Sequence, residues 1–519
     1  MTAPRQIAVV VDGPPTPAWQ ARALAGLEAS DTVEVVEVSM AGPVRRGLAP
    51  RLRDAIERHI FPVGADPLAA VRVSPRPPGG AAATLVVWLS ERTAPTGESR
   101  DLLALRHDGH SQPVEEAFRA AVLEQRPCVA SEAVLRGDRD TVVAERTISA
   151  VGPASETASR SLALWKLAAL AVRTVERLPG LDEPTTTNTT EARRSPRAAS
   201  LPRMRDPASW LRAPATRLLL LRPWWIRVRV LGEAPTRGWQ EEDRVVDWGE
   251  GRMYADPFIF EHEGRHHLFC EEVPSGSKKG VISHTELHLD GTLARAPRTI
   301  LDLDYHLSYP CVFEHGGEVF MIPETGAVSR IELHRAVSFP DVWEREMTLI
   351  EDIDAVDTTF FEHDGRLWLF SGVAANGGSY SDELHLFWAD APRGPWHPHP
   401  RNPVVSDVRG ARPAGAIQRW GSRIVRPAQD CSRRYGSAVS FREIDLLSTS
   451  DYAEHEVERL RPSDLPRARA THTYAADERF EAIDLRRREP RPGVKRLGLA
   501  GALTALLGRM DPARGDIHG

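Results

Sequence analysis

Asp256, Tyr309 and Asp357 each lead a near-copy of one short segment: DPFIFEHEG, then YPCVFEHGG, then DTTFFEHDG. Behind each copy runs a second, aromatic-rich segment, RHHLFCEE, EVFMIPET or RLWLFSGV. Glu271 and Glu324 fall at the same offset behind Asp256 and Tyr309. Recurrent positions carrying carboxylates suit acid–base work or the binding of sugar hydroxyls, because like charges and partial desolvation raise a carboxyl pKa. A further dense polar set lies in VSDVRGARPAG and RPAQDCSRRYG: Asp407, Arg409, Arg412, Arg426, Gln429, Asp430 and Arg434. Arginine offers a planar donor fork to carboxylate, phosphate or vicinal hydroxyls, so this set suits a sugar bearing an acid or phosphate. The same residues would equally form a blade-to-blade salt-bridge network.

Histidines recur as well. His262, His315 and His363 each precede a turn, which puts them at equivalent points of separate units and makes them turn residues rather than metal ligands. His472 differs, standing at the start of a first strand, where it is a candidate for the binding site. His397 and His399, in PWHPHPRNP, read as loop packing. No metal set and no cofactor is expected.

The elements that must position these residues follow from the repeat. The lead residues recur with a period of about 50 residues, the interval of propeller-like arrays. Each unit is an alternating strand, a His-x-Gly turn and a second strand, with Gly supplying the positive φ of a tight hairpin. Fainter copies begin near Pro413 (ARPAGAIQRWGSRIVRPAQD) and His472 (THTYAADERFEAIDL). These copies predict an all-β five-bladed propeller over residues 215–490, with the leading side chains lining a common funnel. The segment WWIRVRV is expected as an outer strand that closes the ring onto the last blade, which removes exposed sheet edges.

Residues 1–180 carry a different pattern. IAVVVD, VEVVEV and ATLVVWLS read as buried strands, and AWQARALAGLE and ETASRSLALWKLAALAVRTVERL as helices, the last with Leu164, Leu167, Leu170 and Val175 on one face. Strand–helix–strand order predicts a Rossmann-like α/β layer. The turn after the first strand is Asp12-Gly13-Pro14-Pro15, not GxGxxG, which counts against a dinucleotide. A linker rich in Thr, Pro, Arg and Ser is expected over 181–214, and a tail with a short helix over 491–519.

Composition bounds the rest. The 519-residue chain is 41% hydrophobic and 27% charged with a net charge of −6, which gives no case for nucleic acid or an anionic membrane. Four Cys without zinc spacing suit buried thiols in a reducing compartment. The opening MTAPRQIAVVVDG lacks the layout of a signal peptide, and no run reaches the roughly 18 apolar residues of a membrane span. A cytoplasmic protein is expected.

Two resemblances refine these expectations. VVVDG, PAWQARALAGL and LWKLAALAVR resemble the formyltransferase-type N-terminal domain in a degenerate form. That family uses an Asn–His–Asp set with a His-Pro-Ser stretch; Arg106-His107-Asp108-Gly109-His110 does not match it and reads as a surface loop, so no formyl transfer is expected. Residues 215–490 resemble the five-bladed propellers of the glycoside hydrolase family 43/32/68 superfamily through ADPFIF. More closely, residues 245–485 are similar to the N-terminal propeller of glucosamine inositolphosphorylceramide transferases, through ADPFIFEHEGRHHLFCEE, LSYPCVFEHGGEVFMIPET, EDIDAVDTTFFEHDGRLWLF, HPRNPVVSDVRGARPAG and RPAQDCSRRYG. In those transferases a glycosyltransferase domain follows the propeller.

The hydrolase likeness implies that Asp256 is a general base. Glu324 or Glu271 is the candidate acid, and Asp357 would orient substrate. The superfamily orders its trio Asp, Asp, Glu, whereas this chain runs Asp256, Glu324, Asp357. Hydrolysis would need two carboxyl groups about 6.5–9.5 Å apart for inversion, or about 5–5.5 Å for retention. Two functions therefore stand: a carbohydrate-active propeller in bacterial glycan or glycoconjugate biosynthesis, or a non-catalytic sugar-recognition module with the α/β domain as a platform for an unspecified protein partner.

Overall fold

The computed structural model describes residues 4–42, 54–55, 57–59, 65–78, 82–92, 94–95, 100–137, 141–152, 155–178, 220–221, 223–231, 238–240, 243–246, 252–486 and 489–490. The linker expected over 181–214 and the tail helix expected over 491–519 lie outside the described residues. The chain divides into two compact units, Met1–Ser195 with Cys311–Leu460, and Pro196–Pro310 with Arg461–Gly519.

Among the described residues are five four-stranded antiparallel meanders, the strand content of a five-bladed β-propeller. One is built from Met253–His262, Arg265–Val273, Val281–Leu287 and Arg298–Leu301. The next three run from Ser308 to Ile350, from Ala355 to Pro398 and from Gln418 to Leu460. The fifth joins both ends of the propeller sequence, in the order Arg244–Val246, Trp224–Val230, Phe480–Arg486, Tyr474–Ala476. WWIRVRV thus closes the sheet, from the third position rather than the outermost, pairing antiparallel from Trp224↔Arg486 to Val230↔Phe480.

The hairpins follow the expected turn chemistry. Glu263-Gly264, Gly316-Gly317 and Asp364-Gly365 occupy the two central positions, all with φ between 49° and 79°. Two consecutive positive φ values match the right-handed twist of the flanking strands. His262, His315 and His363 end the strands that enter these turns.

In the unit holding Met1–Ser195, six strands form one sheet in the order Val33–Met40, Arg5–Val11, Leu85–Trp88, Asp101–His107, Cys128–Arg136, Thr141–Ala150. The first four are parallel and the last two antiparallel. Ile7, Val9, Val11, Leu85 and Val87 point to one face and bury against Leu164, Leu167, Leu170 and Val175 of the helix Glu156–Arg177. Each such side chain contributes about 1.5–3 kcal/mol through burial. Ser155 caps that helix by accepting from the Ala158 N–H.

The same helix carries buried charges. Lys166 Nζ lies 2.9 Å from Asp382 Oδ2 and donates to the Ile148 carbonyl, while Arg173 Nη1 lies 3.1 Å from Glu383 Oε1. The Ile148 N–H donates to the Ser406 carbonyl, and the Val408 N–H donates to the Ile148 carbonyl. The α/β sheet is therefore joined to the meanders of its unit by main-chain bonds as well as by ion pairs. No helix among the described residues is long and apolar enough to cross a membrane.

Candidate functional site

The lead residues share a backbone device. Asp256, Tyr309 and Asp357 have φ of 49°, 46° and 53°, in the left-handed region that L-residues seldom occupy. At Asp256 and Asp357 the ladder skips in the same way. Ala255 pairs with Glu271 and Phe258 with Phe269; Val356 pairs with Gly372 and Thr359 with Phe370. Two residues oppose one, a β-bulge that re-aims the side chain at the bulge. Backbone strain of this kind costs of order 1–3 kcal/mol per residue and persists where its surroundings over-determine it.

In the unit of Pro196–Pro310 and Arg461–Gly519, those surroundings are a buried charge chain. Thr473 Oγ1 donates to Asp256 Oδ1 at 2.7 Å, and His472 Nε2 lies 3.1 Å from the same oxygen. The other ring nitrogen, Nδ1, lies 2.8 Å from Asp484 Oδ2. Asp484 Oδ1 accepts from the N–H groups of His472 and Thr473, and its Oδ2 from the Asp256 N–H. One carboxylate thus clamps the approach to the fifth meander and the strained bulge together. Burial works against an imidazolium here, but Asp484 and Asp256 outweigh it and hold His472 up at about 10. The Trp224 ring covers it at 4.3 Å between centroids.

Glu271 follows on the paired strand. Its Oε1 lies 3.4 Å from His306 Nε2, and His306 Nδ1 accepts from the Gly280 N–H at 2.9 Å. Burial lowers the His306 pKa, opposed by the charge of Asp256. A Cβ at Gly280 would stand 2.7 Å from Glu271 Oε1, so only hydrogen fits there. Tyr309 is fully buried, edge-on to Phe258 at 4.8 Å.

In the other unit, Asp357 Oδ2 accepts from Arg412 Nε and Gln429 Nε2, each at 2.7 Å. Gln429 Nε2 also donates to the Pro413 carbonyl, which ties both donors to the segment before the fourth-repeat strand. Asp357 and its hydrogen bonds hold Arg412 charged, overriding the cost of burial. Glu324 Oε1 accepts from the Gly326 N–H at 2.7 Å.

The remaining polar candidates separate. Arg426 is buried and grips Glu454 through Nη2 at 2.6 Å. Asp407 takes Arg409 in a forked pair, and Asp430 is paired with Arg459. Arg426–Glu454 and Asp430–Arg459 join strands of one meander and Asp407–Arg409 is local to a turn, so these pairs lie within the fourth repeat rather than between blades. For Arg434 the structure gives a main-chain turn, its N–H donating to Ser437 Oγ.

Sequence reasoning reached Asp256 and His472 but missed Asp484, Thr473 and His306. Asp484 is a lone acid in FEAIDLR, Thr473 sits within THT, and His306 in DYHLSYP, just before a lead residue. The oxygens and nitrogens of Asp256, His472 and Asp484 lie close enough to hold a metal ion, within 4.8 Å of one another. An imidazolium whose nitrogens both face carboxylates has no lone pair to offer, so the arrangement acts first as an ion-pair relay that holds the Asp256 side chain in place. In the α/β layer, His107 is buried rather than on a surface loop; its Nδ1 lies 2.8 Å from Ser131 Oγ, and burial pushes it down to about 4. Asp12 is fully engaged, by Ser90, Gln20 and the Glu91 N–H.

Residues 247–487 match the family model described as glucosamine inositolphosphorylceramide transferase 1, N-terminal. The glucosamine inositolphosphorylceramide transferase 1 of Arabidopsis thaliana is 32% identical over 206 residues, which is 39% of this chain and 27% of that protein. The protein of the same name from Oryza sativa subsp. japonica is 33% identical over 203 residues, 38% of this chain and 27% of that one. The match thus spans about a quarter of the length of these curated relatives. Among solved structures, the family 117 glycoside hydrolase Zg3597 of Zobellia galactanivorans aligns at 11% identity with a TM-score of 0.35, over 50% of this chain and 90% of its own.

Proposed function

We propose that the propeller region is a sugar-recognition module of glycan or glycoconjugate assembly in a bacterial cytoplasm. The observation that carries this reading is the pair of left-handed bulges at Asp256 and Asp357, each presenting a buried carboxylate already anchored by two side-chain donors. An acceptor fixed in place before the ligand arrives loses little entropy on binding a hydroxyl. The similarity of residues 247–487 to a domain of named transferases supports a carbohydrate partner.

Hydrolysis or transfer is the second reading, with Asp256 as base, Glu324 or Glu271 as acid and Asp357 orienting substrate. It is favoured by the His472–Asp484 relay, which sets a positive charge beside the Asp256 carboxylate that would act as base. The α/β layer, in this proposal a degenerate formyltransferase-type fold, serves as a docking platform for a protein partner.

The deciding experiment is glycan-array binding by the whole chain beside Asp256→Asn and Asp357→Asn, followed by an aryl-glycoside screen. Specific binding lost in the variants is the expected result. A folded wild-type chain that binds no glycan sinks the proposal, and turnover abolished by Asp256→Asn promotes the second reading.

A further inference from the structure

A cleft of about 480 Å³ lies between the helices Ala18–Glu28 and Glu156–Arg177 and the start of the strand Leu384–Ala389, all within the unit that holds Met1–Ser195 and Cys311–Leu460. Its volume falls in the range of small-molecule sites. Ala25, Gly26, Ala168, Ala169 and Val172 line it with small apolar groups, as does Pro403 from a loop of the meander. The two helices touch along this wall, since a Cβ at Gly26 would stand 2.9 Å from Val172 Cγ2. The loop is held as well. Asn402 donates through Nδ2 to the Leu386 carbonyl and accepts the Leu386 N–H on Oδ1, both at 2.8 Å. Walls fixed in this way spare a ligand the cost of ordering them.

Two polar side chains of the lining have bonding capacity to spare. Glu383 is 4% exposed, and its Oε1 takes Arg173 Nη1 and Ser406 Oγ, each at 3.1 Å. Its Oε2 meets no donor among the described residues. The Glu383 carbonyl continues the strand ladder by accepting the Val373 N–H, and Leu384 beside it turns into the core. His385 therefore shares the face of Glu383, about 7 Å further along. Its Nε2 is buried without a partner. Such an atom is costly, which is why buried polar groups are nearly always bonded. Burial pulls His385 down to about 4 against the charge of Glu383, with Arg173 and Arg177 adding to the effect, so the ring is neutral at physiological pH.

The charges that line the cleft are Arg22 and Arg173 against Glu176 and Glu383, so the two signs balance and neither an anion nor a cation is favoured. What the lining lacks is a donor for Glu383 Oε2 and a partner for a neutral imidazole. We infer that this cleft binds a small neutral molecule with an apolar body and a hydroxyl or N–H group that bonds to Glu383 and His385. The body covers the alanine-rich wall, and removing that surface from water supplies most of the affinity. The polar group sets the orientation and the selectivity. This site is independent of the sugar-recognition reading, and either can fail without the other.

The test titrates the whole chain with benzyl alcohol, toluene, benzoate and benzylammonium, following the methyl groups of alanine and valine by NMR. Benzyl alcohol should bind in the millimolar range and shift the methyls of Ala168, Ala169 and Val172. Toluene, lacking the donor, should bind about tenfold more weakly, and the two ions no better than toluene. His385→Phe keeps a ring of similar size and removes the unpartnered nitrogen. It should melt at or above the wild-type temperature and bring the affinity for benzyl alcohol close to that for toluene. Ala169→Phe places a ring in the cleft and should abolish the binding of both. The site is overturned if benzyl alcohol gives no saturable shifts, if toluene or either ion binds as well as it does, or if its binding survives unchanged in His385→Phe or Ala169→Phe.

Discussion

His472 Nε2 lies 3.1 Å from Asp256 Oδ1, while its other ring nitrogen lies 2.8 Å from Asp484 Oδ2, so the imidazole stands between two carboxylates. The histidine is charged in the folded protein well above its ordinary pH range, at about 10 against 6.5 for the free side chain. A base whose pKa is raised by folding stabilises the fold fully below its unfolded value and loses that contribution as pH rises through the folded one. Urea midpoints should therefore fall between pH 6.5 and about 10 in the wild type by more than in His472→Gln. Parallel pH profiles for the two proteins would refute the charged relay. Asp484→Asn should cost about 3–5 kcal/mol at neutral pH, because an amide NH2 in place of Oδ2 removes the charge behind the imidazolium and the acceptor of the Asp256 N–H.

Asp357 gives a second, independent case. Asparagine tolerates left-handed φ, so Asp357→Asn keeps the bulge and removes only the charge. Arg412 would then be a largely buried cation without its counter-ion, at a cost of about 3 kcal/mol. Adding Arg412→Gln to Asp357→Asn should recover part of that loss. A double variant whose destabilisation is the sum of the two single ones, measured by urea unfolding, would mean the pair is not coupled.

The difference between what could and could not be read beforehand has a physical origin. Asp256, Tyr309, Asp357 and the turn glycines recur at a fixed interval, so local sequence reports both the strands and the hairpins between them. VVVD and LVVW are buried on both faces and read as strands without help. The strands Cys128–Arg136 and Thr141–Ala150 carry no such signal, because CVASEAVLR and TVVAERTISA mix small, charged and apolar residues at the antiparallel end of the sheet. Asp484 was invisible for another reason. Its partners His472 and Thr473 are near in sequence, but its value lies in holding Asp256, more than two hundred residues away. Arg426 shows the same limit from the other side, since only strand pairing brings Glu454 to it and turns a candidate ligand residue into packing.

Glu263 offers a prediction free of the charge clusters. It is exposed, it has φ of 49°, and it stands where the other two hairpins place Gly316 and Asp364. Glutamate has no special tolerance for that conformation, and a left-handed L-residue costs roughly 1–2 kcal/mol. Glu263→Gly should raise stability by about 0.5–1 kcal/mol, less than the strain because glycine also gains freedom in the unfolded chain. Gly264 asks for the same conformation with φ of 74°, so Gly264→Ala should act in the opposite direction. Thermal melts of the two variants moving the same way would contradict the turn assignment.

Lys166 and Asp382 test how the α/β sheet is held to the meanders of its unit. The ammonium is 2% exposed and its three donors meet Asp382 Oδ2, the Asp382 carbonyl and the Ile148 carbonyl, so every proton has a partner. Asp382→Asn leaves that cation buried beside neutral groups and should cost about 3–5 kcal/mol. Replacing both residues with apolar ones of similar size, Lys166→Met with Asp382→Leu, should restore most of the loss, because the pair's attraction largely offsets its desolvation rather than exceeding it. The amides of Ile148 and Val408, which bond across the same junction, report the effect locally. Their hydrogen exchange should quicken in Asp382→Asn and return toward the wild-type rate in the apolar double variant. Exchange that quickens equally in both would mean that the ion pair itself, rather than the absence of an unpaired charge, keeps the junction closed.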